Sequence, residues 1–269
     1  MSLFSTACAI TSGAVEWLIR GPQGPRAPYF GAALCRIVLG FGVSWVDAAV
    51  FEFFNGFAGT SAWRDGVLRA VSLNPLVKTL PVILAFWYLW FRAPASDDRT
   101  RAGILAGLLL GTVSIALGRA LALLLPFSPR PMHQDVVPYR LPLGMEPTAL
   151  SDWSSMPSDH AVFNVTLAVC LLLLHRRLGL WALVHVIVVI CLPRIYLGLH
   201  WPSDILAGAA VGLALALVAQ RPVTALVRRS GLLRWAAAAP GAFHVLFLLL
   251  GFWLATNFDT LRQLLSALL

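Results

Sequence analysis

Residues 103–125 read GILAGLLLGTVSIALGRALALLL. The run carries a single charge, Arg119. As an α-helix it rises about 34 Å at 1.5 Å per residue, enough for the roughly 30 Å of hydrocarbon in a bilayer. Stretches of the same character lie near 30–50, 74–92, 158–175, 178–197, 203–220 and 237–256. Hydrocarbon offers no water to the backbone, so each stretch must close its own hydrogen bonds as a helix. The expected fold is all-α: a polytopic transmembrane helical bundle, with six core helices and a seventh at the C-terminus.

Composition agrees. The chain has 269 residues, 59% of them hydrophobic and 12% charged, against about 25% charged in a soluble domain. A soluble protein of this size cannot hide so much apolar surface. The net charge of +8 does not indicate nucleic acid. The basic residues are scattered between apolar runs rather than clustered with stacking aromatics. Cys8, Cys35, Cys170 and Cys191 show no metal-ligand spacing and read as small buried hydrophobes. The first fifteen residues lack a basic segment ahead of an apolar stretch, so no cleavable signal is expected.

The organisation follows. Residues 1–27 read as an interfacial N-terminal segment with Trp17 at the membrane surface, 28–257 as the membrane domain with its motif core at 103–220, and 258–269 as a short tail. In the first span, Arg36 and Asp47 are costly unless paired or turned into the bundle. Arg20 and Arg26 precede that span. Arg92, Arg99 and Arg101 fall between spans two and three, Arg176 and Arg177 between four and five, and Arg221, Arg228, Arg229 and Arg234 between six and seven. All share one side if the spans alternate, and the positive-inside rule makes that side cytoplasmic. The loops at 126–157 and 198–202 then face outward. Pro157 and Pro202 each stand where a first helical residue is expected. Gly198 can end span five. Gly208 and Gly212 give span six a small face for close packing.

Three clusters beside those outward loops carry chemistry: Arg130-Pro131, Pro157-Ser158-Asp159-His160, and Arg194 followed by His200 and Asp204. Arginines offer forked donors that match phosphate oxygens. Ser158, Asp159 and His160 occupy the first turn of a helix, whose N–H groups and dipole favour an anion. Asp204, in the first turn of the next helix, can hold one ring nitrogen of His200 and leave the other free to attack. His160 can protonate a leaving oxygen. Phosphoryl transfer needs little more than this positioning and charge neutralisation. No ligand cluster calls for a metal, and no cofactor is expected.

On these residues the sequence resembles the type 2 phosphatidic acid phosphatase superfamily, which includes membrane lipid phosphatases, glucose-6-phosphatase and soluble vanadium haloperoxidases. That family has the signatures Lys-x6-Arg-Pro, Pro-Ser-Gly-His and Ser-Arg-x5-His-x3-Asp. Arg130-Pro131 matches the end of the first, Pro157-Ser158-Asp159-His160 the second except at Asp159, and Arg194-x5-His200-x3-Asp204 the third after its leading serine. The resemblance covers roughly residues 103–220. It implies that His200 is the nucleophile forming a phosphohistidine, Asp204 orients it, His160 is the acid, and Arg130, Ser158 and Arg194 hold phosphate oxygens. Three positions depart from the pattern. Leu123 stands in place of the lysine, with Arg119 one turn away on the same face. Pro193 replaces the serine. Asp159 replaces glycine and needs an arginine or a backbone N–H as partner, and it too is counted with the substrate-binding residues. The Pro-Ser-Asp-His form resembles the bacitracin-resistance type of undecaprenyl pyrophosphate phosphatase.

The expectation is therefore a hydrolase of the bacterial inner membrane, part of the cell envelope machinery. It acts without a metal on a lipid phosphate or pyrophosphate held in the bilayer, with its site facing the periplasm or outside. Two alternatives use the same residues: transfer of the phosphoryl group to a second lipid, or carriage of a lipid phosphate without catalysis. Other polar residues read more plainly. His133, Asp135, Arg140, Glu146 and Trp153 are taken as outer-loop residues, and His185 and His244 as packed, hydrogen-bonded residues within spans.

Overall fold

A computed structural model describes residues 43–135 and 137–256. Among these the chain is all-helical. The helices are α1 (Trp45–Asn55), α2 (Ala62–Leu73), α3 (Pro75–Lys78), α4 (Leu80–Arg92), α5 (Asp98–Leu124), α6 (Asp159–Leu174), α7 (Arg176–Tyr196), α8 (Pro202–Arg229), α9 (Leu232–Ala238) and α10 (Pro240–Ala255). Of these, α5, α7 and α8 are long and apolar enough to cross a membrane, and α4, α6 and α10 are shorter apolar helices. The expected helical membrane bundle is what forms. The interfacial segment, Arg36, Trp17, Cys8, Cys35, most of the first span and the C-terminal tail lie outside the described residues.

The centre is a trio: α5, α6 and α8 pack against one another. Small residues set the spacing. A Cβ on Gly208 would stand 2.5 Å from the Ser158 carbonyl oxygen, and one on Gly212 would stand 2.5 Å from that of Val162. The small face expected on span six is thus the face that meets α6. On α5, Gly107 and Gly111 do the same against Cys170 and Leu167 of α6. Apolar side chains point outward as well as inward, with Leu206 70% and Val218 76% exposed. That is the pattern of helices solvated by lipid.

Around the trio, α10 docks on α4. Trp87 stacks on Phe247 and Trp90 on Phe243, with ring centroids 4.9 and 5.0 Å apart. The Trp90 indole N–H donates to His244 Nε2 at 3.1 Å. His185 Nε2 bonds the Lys78 carbonyl oxygen at 2.8 Å. Both in-span histidines are therefore packed partners. Asp47 shows how a carboxylate is accommodated here. It caps α1 with Ser44, and its Oδ1 accepts the Ser203 N–H at 2.8 Å. Cys170 and Cys191 are buried free thiols.

Several boundaries differ from the sequence reading. Span two breaks at Thr79 into α3 and α4, because Asn74 caps a short turn opened by Pro75 and Pro81 starts the next helix. Helix α6 begins at Asp159, so Pro157 precedes the helix and Ser158 is the N-cap. Helix α8 runs nine residues past the expected end at 220, through Pro222, and places Arg221, Arg228 and Arg229 on the helix instead of in a loop. Arginines in a last turn suit the negative end of the helix dipole. Within α7, residues Val186–Cys191 widen into π turns just ahead of Pro193, which has no N–H to return to the helix.

Candidate active site

Three segments bring the predicted residues together. The extended chain after α5 carries Arg130 into a 3-10 turn at Pro131–His133. The loop of residues 134–158 returns to the N-cap of α6. The α7–α8 turn carries Gly198 at φ +73°, a conformation that glycine adopts without a Cβ clash, and delivers His200 directly ahead of α8. Three backbone bonds lace the segments: Met132 N–H to the Gly198 carbonyl at 3.1 Å, Ser155 N–H to the Ser128 carbonyl at 2.7 Å, and Ser158 N–H to the Asp204 carbonyl at 3.0 Å.

The loop of residues 134–158 is tied down by Asp65 on α2. That fully buried carboxylate accepts the N–H groups of Gly59 and Leu143, both at 2.9 Å, and the hydroxyl of Tyr196. Burial pushes its pKa up. The bonds from Tyr196, Leu143 and Gly59 and the charge of Arg64 outweigh that and leave it below the ordinary carboxylate value. Tyr196 lies two residues beyond Arg194, so this latch ties the loop to the end of α7.

His200 is 2% exposed. Its Nδ1 is 2.9 Å from the Ser155 carbonyl oxygen. A carbonyl only accepts, so Nδ1 carries the proton and Nε2 presents its lone pair. Burial, then the positive charges of Arg130 and Arg194, hold the His200 pKa well below its ordinary value. The ring is neutral at physiological pH, the state in which an imidazole nitrogen has a lone pair to offer.

The expected direct bond from Asp204 to His200 is not what forms. Asp204 Oδ2 stands 3.9 Å from Nδ1. Ser155 lies between: its hydroxyl donates to Asp204 Oδ2 and sits 3.3 Å from His200 Nδ1. The carboxylate also accepts the Trp201 N–H at 2.8 Å, capping its own helix. Asp204 is thus pinned by its helix start and reaches the imidazole through Ser155. Sequence reading missed Ser155. The available signal was a serine two residues before Pro157, too slight to single out.

Arg130 and Arg194 are each 5% exposed and Ser158 is fully buried. Arg130 Nη1 donates to the Leu199 carbonyl at 2.5 Å and lies 3.4 Å from His200 Nε2. Its Nη2 reaches the Ser154 carbonyl at 3.4 Å. Burial lowers its pKa to about 10, with Asp159 and Asp204 raising it and Arg194 and Arg119 lowering it, so it stays charged. Among the described residues, Arg130 Nε, Arg194 Nε and Ser158 Oγ are buried donors without a hydrogen-bond partner. Ser158 does not cap α6 with its side chain, which leaves that hydroxyl for a ligand.

His160 pairs with its neighbour: Nδ1 is 2.8 Å from Asp159 Oδ1, and that same oxygen accepts the His160 N–H at 2.8 Å. Asp159 therefore finds the backbone partner expected for it and fixes the His160 ring as well. His160 is further held through Asn164, which donates to its carbonyl at 3.0 Å and meets Thr79 at 3.1 Å. Arg119 stacks its guanidinium over the Trp153 ring, 3.6 Å from the centroid. Trp153 is thus more than a bystander in the loop. His133 Nε2 bonds the Ala149 carbonyl at 2.9 Å, and Arg140 Nη1 donates to the Gly56 carbonyl at 2.8 Å. Both are loop ties.

Comparison with known proteins agrees with the motifs. Residues 127–228 match the PAP2 superfamily. That segment contains Arg130, Ser158, Asp159, His160, Arg194, His200 and Asp204, while Arg119 precedes it. An Escherichia coli (strain K12) protein named "Putative undecaprenyl-diphosphatase YbjG" is 26% identical over 175 residues, 65% of this chain and 81% of that protein. The undecaprenyl-diphosphatase BcrC of Bacillus subtilis (strain 168) is 22% identical over 164 residues, 61% of this chain and 77% of that protein. The bacitracin transport permease protein BcrC of Bacillus licheniformis is 33% identical over 64 residues, 24% of this chain and 31% of that protein. No solved structure matches.

Proposed function

On the premise of the PAP2 superfamily match over residues 127–228, we propose that this chain is a membrane phosphatase hydrolysing a lipid phosphate or diphosphate, with a polyprenyl diphosphate as its preferred substrate. The observation that carries the reading is His200, protonated on Nδ1 with its Nε2 lone pair facing Arg130 Nη1 at 3.4 Å, beside three buried donors that lack partners among the described residues, Arg130 Nε, Arg194 Nε and Ser158 Oγ. A phosphoryl group has the charge and the acceptor oxygens to satisfy all three.

The reaction runs in two steps. His200 Nε2 attacks phosphorus, and the bond to the leaving oxygen breaks as His160 protonates that oxygen. A water then attacks the phosphohistidine, giving its proton to His160 and releasing phosphate. Arg130, Arg194, Ser158 and the start of α6 neutralise the equatorial oxygens throughout. Ser155 and Asp204 hold the imidazole and balance the charge it gains. No step requires a metal. When the leaving group is itself a phosphate, it departs with little help from His160. The distribution of arginines supports a site on the outer, periplasmic face of a bacterial inner membrane. The relatives' names support the polyprenyl diphosphate.

The test is phosphate release in detergent from undecaprenyl diphosphate, phosphatidic acid, phosphatidylglycerol phosphate and lipid A, with and without EDTA. Release from the polyprenyl diphosphate, unaffected by EDTA and abolished in His200→Ala, is expected. Undiminished turnover by His200→Ala overturns the mechanism. Phosphate passing to a second lipid instead of water identifies a phosphotransferase, and binding without turnover identifies a carrier.

A further inference from the structure

At the end of the α5–α6–α8 trio opposite the histidines lies a cavity of about 390 Å³ lined by Arg99, Gly103, Leu173, Leu174, Gln220, Arg221, Thr224, Ala225 and Arg228. The residues from α8 recur at i, i+1, i+4, i+5 and i+8, one stripe of that helix. Its rim is cationic. Arg99, Arg221 and Arg228 are exposed, and among the described residues no ion pair holds them, although the Asp97 carboxylate interacts with Arg99 through its charge and accepts its backbone N–H. Its floor is polar. Gln220 is 4% exposed, its Nε2 donates to the Gly103 carbonyl at 2.9 Å, and its Oε1 is a buried acceptor without a partner among the described residues. The walls are the leucines that end α6.

These parts specify a ligand. Three guanidinium groups around one opening match a phosphate. A buried acceptor beneath them needs a hydroxyl or amine donor. Apolar walls opening between helices suit an acyl or glyceride body. Helix α8 has 28 residues and rises about 42 Å, so its last turns reach past the hydrocarbon into the headgroup layer. Basic pockets between membrane helices at this depth take anionic headgroups. We propose that this cavity binds the headgroup of an anionic glycerophospholipid bearing free hydroxyls, of the phosphatidylglycerol kind. Its phosphate meets Arg99, Arg221 and Arg228, and a glycerol hydroxyl donates to Gln220 Oε1. The site is separate from the histidine site and stands or falls independently of the proposed hydrolysis.

Thermal unfolding of the full chain in a neutral detergent tests it, titrated with phosphatidylglycerol, phosphatidylcholine or inorganic phosphate. A ligand bound to the folded state raises Tm with concentration. The expected result is a saturable rise with phosphatidylglycerol alone, and a half-saturating concentration at least tenfold higher in Arg221→Ala/Arg228→Ala. The charge-matched control Arg229→Ala/Arg234→Ala, outside the cavity, should shift it less than twofold. Arg228→Ala alone serves if the double variant does not fold, with at least a threefold weakening expected. An equal rise with inorganic phosphate makes the ligand a free anion and overturns the lipid assignment. Equal weakening in both double variants, or none in either, overturns the site.

Discussion

The carboxylate of Asp204 stands 3.9 Å from His200 Nδ1, and Ser155 occupies the space between them with both its hydroxyl and its carbonyl oxygen. Nδ1 is therefore met directly by the Ser155 carbonyl and hydroxyl, and by Asp204 only through that hydroxyl. Its backbone acceptor at Ser155 fixes the tautomer whatever Asp204 does.

Ser155→Ala should accordingly leave the tautomer intact and remove the link to Asp204. One hydrogen bond worth about 1.4 kcal/mol in the transition state is a tenfold change in rate. Turnover should fall about tenfold to a hundredfold with KM little changed, and Ser155→Thr should recover most of it. Asp204→Asn should cost more, since it also removes the charge that balances the imidazole. Steady-state kinetics on a lipid phosphate in detergent checks the order. A Ser155→Ala enzyme that loses affinity but keeps its turnover would place Ser155 in substrate binding instead.

The environment of His200 sets a pH dependence in two observables. Burial first, then Arg130 and Arg194, depress its folded pKa well below the ordinary value near 6.5. The imidazole stays deprotonated in the fold as pH falls past 6.5, so the acid limb set by His200 should lie below that pH. Stability behaves differently. Below pH 6.5 the unfolded chain takes up a proton that the folded chain refuses. This residue's contribution is thus fully present above pH 6.5 and is lost on acidification, by about 1.4 kcal/mol per pH unit, until the folded imidazole also titrates. Thermal unfolding between pH 7.5 and 5 should show a steeper fall for the wild-type chain than for His200→Asn. Parallel curves would contradict the assignment.

Two further cations act on the site through their charge, Arg119 on Arg130 and Lys78 on His160. Arg119 holds its guanidinium carbon over the Trp153 ring in the loop, 3.6 Å from the centroid. Lys78 is 7% exposed. The next residue, Thr79, is joined through Asn164 to His160, and the Lys78 charge acts on His160. Arg119→Ala and Trp153→Ala should raise KM by similar factors, about threefold to tenfold, with kcat nearly unchanged. Lys78→Met should instead change kcat and leave KM nearly unchanged. Equal effects of Arg119→Ala and Lys78→Met on the two constants would remove the distinction.

The bundle was legible because hydrocarbon allows one solution to a long apolar run, and the loops were legible because Pro202, Gly198 and the arginines mark helix ends. The residues that gather at the candidate site were legible as types at fixed spacing. What escaped depends on contacts between distant segments. Ser155 matters only because its turn lies against His200, 45 positions away. Trp153 matters because α5 brings Arg119 beneath the loop. Helix α8 continues past 220 because a proline within a membrane helix is tolerated where the bundle supports it, and no local signal at Arg221 distinguishes that from a loop.

Gly208 couples the packing of the bundle to the chemistry. Ser158 donates its N–H to the Asp204 carbonyl at 3.0 Å, so α6 starts on the first turn of α8, and a Cβ at Gly208 would press on the Ser158 carbonyl oxygen at 2.5 Å and the Ala161 Cβ at 3.0 Å. The obstacle is mostly backbone, which a rotamer change cannot move. Gly208→Ala must spread α6 from α8 at the point that sets the distance from Ser158 to His200. Overpacking of this kind costs about 1–3 kcal/mol, and a misplacement of about 1 Å in a reacting group can cost a hundredfold in rate. Gly208→Ala should lower Tm and reduce turnover by at least tenfold. Gly241→Ala, where a Cβ meets nothing within 4 Å, should leave both unchanged or raise Tm slightly, because alanine favours the helix. Undiminished turnover in Gly208→Ala would show that the site tolerates a wider α6–α8 spacing, and Ser158 would then have to hold phosphate through some freedom of the helix start.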